Sequence, residues 1–118
     1  MRASHLNALQ SLLARDADAG ALHTRHLLLL GAICAERKPV SLISAADLID
    51  LSYEQTSRIV RRLIEAGMLE RTFDPDDARR MALAPTRQGH ALDDRVRSYV
   101  TAVSAAVAVV PATHTTEA

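Results

Sequence analysis

The sequence predicts a mainly α-helical fold that carries one small β-hairpin, and three observations lead there. Residues 52–67 combine an apolar stripe with an arginine-bearing outer face and stop at a glycine. Residues 68–84 then read as strand, Asp/Arg-rich turn and strand. Apolar residues at helical spacing occupy both ends of the chain, so the hairpin sits inside a helical frame. At 118 residues the chain can bury one core, and 1–118 is read as a single domain.

In chain order, residues 4–15 place Leu6, Leu9, Leu12 and Leu13 at helical spacing behind a serine, which predicts an amphipathic helix. Asp16 to Gly20 break it. A second helix is expected from about Leu22 to Glu36, ahead of Lys38-Pro39. It is apolar almost all round, with Leu27 to Leu30, Ile33 and Cys34, so it is expected to be covered on most sides as the central post of the core. Val40 to Ile43 suggest a short strand that pairs with the hairpin. Ser44-Ala45-Ala46-Asp47 is a capping pattern for a short helix through Asp50, with Leu48 turned inward.

Leu51-Ser52 makes a turn, and Ser52 followed by Gln55 is a capping box that opens the next helix. Ile59, Val60, Leu63 and Ile64 share its inner face, whereas Glu54, Arg58, Arg61 and Glu65 share the outer one. Gly67 ends it, because glycine tolerates the left-handed backbone of a helix terminus. Strands are expected over Met68 to Phe73 and Met81 to Ala84, joined by Asp74 to Arg80, whose proline and aspartates have turn chemistry. Two short helices joined tightly, followed by a hairpin, make a winged helix-turn-helix. Thr86 is a plausible cap for a last helix with an apolar stripe of Leu92, Val96, Tyr99, Val100, Val103, Val107 and Val110. Pro111 is expected to end it, with a frayed tail over 111–118.

Residues 22–95 resemble the winged-helix half of the multiple antibiotic resistance regulator (MarR) family. The family's wing carries a D-P-x-D-R-R run followed by Leu-Thr and a glycine. Here the run is DPDDARR, then Pro85-Thr86 and Gly89, with Asp77 and Arg79 on the family's D-x-R pair and Ala78 where a first arginine is frequent. Ser57-Arg58, Arg62-Leu63 and the Gly67-Met68-Leu69-Glu70-Arg71 exit match the family's helix positions.

The resemblance implies a double-stranded DNA-binding transcriptional regulator, most simply a repressor, that reads a palindromic operator as a homodimer. Helix 52–66 would enter the major groove, with Ser52, Tyr53, Gln55, Ser57 and Arg58 nearest its N-terminus and Arg61 and Arg62 further along. Arg62 could instead brace the fold. The wing 74–80 would bring Arg79 and Arg80 to the minor groove, with Asp77 orienting Arg79. Residues 22–86 would be the DNA-binding core, and 4–15 and 87–110 the dimerisation helices. Both ends are short for the family, so a reduced dimerisation region is expected. A small-molecule effector is implied near His23, His26 and Leu30.

Charge alone argues otherwise: Lys and Arg total 14, Asp and Glu total 14, and the formal net charge is zero. An acidic protein partner for the arginine face is therefore the alternative, and an Arg61–Glu65 pair would make that face an ordinary solvated one. The longest apolar run, Leu27 to Ala35, is too short to span a bilayer, so no membrane association and a cytoplasmic location are expected. A single cysteine, Cys34, excludes an intrachain disulfide and, set among Leu30, Ile33 and Ala35, reads as a buried inert thiol. His23 and His26 have a metal-compatible spacing without further ligands, so no metal is expected. No nucleophile grouping or phosphate loop points to an enzyme, and no cofactor is expected.

Overall fold

The computed structural model describes residues 3–117, with side chains from 4 to 106. Helix α1 (Ala3–Arg15) leads through a 3-10 turn at Ala19–Ala21 to α2 (Thr24–Glu36), α3 (Leu42–Ile49) and α4 (Tyr53–Glu65). Strands β1 (Leu69–Phe73) and β2 (Met81–Pro85) follow, and α5 (Arg87–Glu117) closes the chain. This is a mainly α winged helix-turn-helix. The strands are antiparallel, with Leu69 opposite Pro85 and Phe73 opposite Met81.

Local chemistry fixes α4 at both ends. The Ser52 hydroxyl accepts from Gln55 N–H at 3.1 Å, and the Gln55 side chain accepts from Ser52 N–H at 3.3 Å. At the far end Gly67 has φ +80°; its N–H reaches the Ile64 carbonyl and that of Met68 reaches Leu63, which satisfies the last carbonyls as a Schellman turn does. Ile59, Val60 and Leu63 are buried as the stripe predicts. Thr56 is also fully buried, and its hydroxyl donates to the Ser52 carbonyl at 2.8 Å, which neutralises the cost of burying it.

Five expectations need correction. Val40 makes only an isolated bridge to Leu83, and no strand runs on to Ile43. The reason is that Ser41, not Ser44, caps the next helix: its hydroxyl accepts from Ser44 N–H at 3.1 Å and turns the chain helical at Leu42. The inward face of α3 is then Ala45 and Ala46, with Leu48 exposed. In α2, Leu27, Leu29, Leu30 and Ile33 are buried against the other elements, but Leu28 faces out at 62% exposure. Pro111 does not end α5, which runs on to Glu117: the ring's fixed φ is compatible with a helix, although it removes one N–H contact and crowds the carbonyl four residues back. Of the expected tail, residues 111–117 continue α5, and Ala118 lies outside the described residues, as do the side chains of Val107 and Val110.

Two contacts seat α5 on the junction between α4 and β1. Thr86 caps it, accepting from Gly89 N–H at 3.0 Å while donating to the Gly67 carbonyl at 2.6 Å. Gly89 packs so tightly against the Met68 carbonyl that a side chain there would collide with backbone. Further along, Arg95 and Tyr99 converge on Asp16 in the α1–α2 connection. Arg95 Nε lies 2.8 Å from Asp16, its terminal nitrogen 2.7 Å from Asp18, and the Tyr99 hydroxyl donates to Asp16 at 2.5 Å. The α5 rod is thereby fixed to both the wing root and α1.

Candidate nucleic-acid interface

The capping box exposes Ser52, Tyr53 and Gln55 at the start of α4, with Arg58 and Arg61 exposed one and two turns on and Ser57 half-buried beside them. The Ser52 and Gln55 side chains are engaged with each other, so they hold the helix end in shape as well as presenting it. No ion pair involves Arg58 or Arg61 among the described residues, and the Arg61–Glu65 pair of a self-contained charged face does not form. Arg62 turns away. Its guanidinium donates to the Ala21 carbonyl at 3.2 Å, bracing α4 against the 3-10 turn that precedes α2.

Turn chemistry builds the wing tip. Asp74 accepts from Asp76 N–H at 2.8 Å, and Asp77 accepts from Arg79 N–H at 3.0 Å and from Arg79 Nε at 3.2 Å. The Arg79 guanidinium beside it holds the Asp77 carboxyl below its ordinary pKa. Arg80 stands 3.9 Å from the other Asp77 oxygen. Asp77 thus steers the Arg79 stem while leaving that side chain 91% exposed.

His23 and His26 start α2 as a second capping box, in which His26 Nδ1 accepts from His23 N–H at 3.2 Å and the rings stack 5.6 Å apart. Burial, then the neighbouring His23, lowers the His26 pKa and keeps the ring in the neutral form that this acceptor role needs. Both histidines line an open cleft of about 550 Å³ with Arg25, Gln55, Arg58 and Ile59. Leu30 does not reach it; it is locked in the core, because α2 turns that position toward the other helices.

Burial, reinforced by Asp93, pushes the Cys34 thiol up to about 11, which makes thiolate scarce. Among the described residues no group of three or more His, Cys, Asp or Glu is placed to hold a metal, and no helix is long and apolar enough to cross a membrane.

Arg71, which the sequence places in the Gly67–Arg71 exit but not among the expected DNA contacts, also faces the surface of α4 and the wing. In β1 it alternates with outward-facing Glu70 and lies opposite Leu83, on the same side as Arg61 and Arg80. Strand alternation from Leu69 could have assigned it to that side.

A helix pair with a tight turn, an arginine-bearing second helix and an arginine-tipped hairpin define a winged-helix DNA-binding transcriptional regulator. A sequence profile of the MarR family matches residues 22–80, half of the chain. The chain belongs to the MarR family. No curated protein sequence matches it.

Solved structures share the fold. MepR of Staphylococcus aureus, bound to ethidium bromide, superposes with a TM-score of 0.76 at 16% identity, over 90% of this chain and 74% of that one. CouR of Rhodococcus jostii, bound to p-coumaroyl-CoA, gives 0.71 at 26% identity over 96% and 80%. A mutant MarR of E. coli complexed with operator DNA gives 0.63 at 18% identity over 82% and 69%.

Proposed function

We propose that the protein is a homodimeric repressor that reads a palindromic operator, with α4 in the major groove and the wing in the adjacent minor groove. One observation carries this reading: an arginine held by Asp77 at the wing tip, 91% exposed, follows in the hairpin after α4, whose Arg58 and Arg61 make no ion pair among the described residues. An arginine so placed suits a narrow minor groove, whose negative potential it senses without a base code. Ser52, Tyr53, Gln55, Ser57 and Arg58 lie where a recognition helix meets phosphates and base edges. Arg80 supports the wing contact, whereas Arg62 acts through its brace to Ala21. The complex of E. coli MarR with operator DNA supports DNA as the partner.

Residues 22–86 serve as the reading head within a single domain, and 4–15 and 87–110 as the dimerisation helices. Exposed Leu6 and Val100 on those helices, and Leu28 on α2, support pairing, since each would gain by leaving water. The cleft at His23 and His26 is the effector site, and the ligands seen on MepR and CouR support an effector of that general kind. Because Gln55 and Arg58 line the same cleft, a ligand there touches the reading helix directly. It releases DNA if it prefers a subunit spacing that misfits the operator. The chain acts by binding, not catalysis, in the cytoplasm.

The test is duplex affinity as a function of salt for the Arg58→Ala and Arg79→Ala variants. Arg58→Ala should weaken binding by about 1–3 kcal/mol and relax sequence preference at one step. Arg79→Ala should weaken binding most on sequences whose minor groove is narrow where the wing enters, and flatten the salt slope by about one per subunit. Binding unaffected by either substitution would turn the arginine face toward an acidic protein partner, which zero net charge would also suit.

A further inference from the structure

Two methionines lie among the described residues, and they differ sharply in access. Met68 is 1% exposed, whereas Met81 is 60% exposed at the start of β2, directly after the wing turn. Met81 stands in a groove of about 600 Å³ between α3, α4 and the hairpin, lined also by Arg61, Arg71 and Arg80 and by no carboxylate. Arg61 and Arg71 make no ion pair among the described residues. In the hairpin register Met81 lies opposite Phe73 and Arg71 opposite Leu83. Met81 and Arg71 are therefore diagonal neighbours on one face, a separation that long side chains bridge.

A cleft lined by charges of one sign concentrates counter-ions, so an anionic oxidant gathers where this thioether is exposed. Hypochlorite is such an oxidant. A thioether reacts with it without first losing a proton, whereas a thiol reacts as its thiolate. Cys34 is half-buried with its thiol pushed up to about 11, so it offers little competing thiolate. We infer that Met81 is the oxidant-reactive sulfur of this chain, and that its conversion to the sulfoxide by hypochlorite reversibly weakens DNA binding. In that step the sulfur gives up two electrons and gains an S–O bond, while the Cl–O bond breaks and chlorine leaves as chloride. Thioether plus hypochlorite thus becomes sulfoxide plus chloride. An apolar side chain turns into a polar one with a strong acceptor oxygen. Arg71, its diagonal neighbour, is free to donate to that oxygen, and a guanidinium so engaged is lost to the positive face that α4 and the wing offer a duplex. The effect on DNA rests on the proposed function; the choice of sulfur rests on exposure and surrounding charge.

Stoichiometric hypochlorite, followed by peptide mass mapping and duplex affinity, tests both halves. The duplex is the one enriched from random sequence by untreated wild type, and each protein is compared with its own untreated form. In wild type the first oxygen should appear on the peptide containing Met81, and affinity should fall about tenfold, as expected for one charge-assisted hydrogen bond diverted from the duplex. Methionine sulfoxide reductases for the two sulfoxide epimers should restore it. Met81→Leu, which keeps an apolar side chain, should hold its affinity through the treatment, and Cys34→Ser should lose affinity as wild type does. Met81→Gln, which puts a polar acceptor there without any oxidant, should bind more weakly than Met81→Leu. A first oxygen on another residue, equal losses in wild type and Met81→Leu, or recovery with a thiol reductant alone would overturn the assignment. If wild type enriches no duplex, the DNA reading fails by itself, and the mass map still decides which sulfur reacts.

Discussion

Asp16 joins three segments through one carboxylate. Its side chain is 3% exposed and accepts from the N–H groups of Asp18 and Ala19, from Arg95 and from the Tyr99 hydroxyl. Arg95 holds its pKa far below the ordinary 3.8, against the opposing effect of burial and with help from Tyr99 and the two backbone donors. A carboxyl lowered in the folded state contributes stability that is complete above its unfolded value and is lost as pH falls toward the folded one. Asp16→Asn should therefore cost about 2 kcal/mol at neutral pH in urea unfolding. The gap to wild type should narrow below about pH 4, where the unfolded carboxyl takes up its proton. His26 has the same sign, since its lowered pKa removes stability as pH falls below 6.5, but it acts in both proteins and cancels. None of this was legible in the sequence. Asp16 and Arg95 stand 79 positions apart, and no local pattern pairs residues at that distance.

At the scale of elements, what the sequence disclosed was what nearest neighbours decide. Ser52 with Gln55, Gly67 and Thr86 each form the cap or stop that their spacing indicates, so α4, the hairpin and the start of α5 emerge close to their expected bounds. The α2–α3 connection was misread because Ser41 and Ser44 both offer a capping hydroxyl three residues apart, and the winning cap is the one that buries Ala45 and Ala46. Gly89 looked like part of a motif, but its role is spatial: it brings the first turn of α5 onto the Met68 carbonyl. Gly89→Ala should force that turn off the wing root and destabilise the protein by about 2 kcal/mol, as overpacking of a tight contact does. A thermal melt reads this directly, and an unchanged midpoint would show that the α5 junction is looser than its geometry.

For the whole molecule, zero net charge is compatible with polyanion binding because of where the acids are used. Asp16 and Asp18 engage Arg95, Asp93 engages Arg97, and Asp74 and Asp77 shape the wing turn. Arg58, Arg61 and Arg71 are left without ion pairs among the described residues, and they lie along the two clefts that flank α4. Composition sums these charges and loses their placement, which is why the total argued against the motif. The central claim joins this face to a dimer, and selection from random-sequence duplex DNA tests both at once, with wild type beside an Arg58→Ala/Arg79→Ala double variant. The account predicts an enriched palindrome for wild type, with half-sites about one helical turn apart, and none for the variant. Enrichment of no sequence, with both proteins binding equally poorly at low salt, would contradict it.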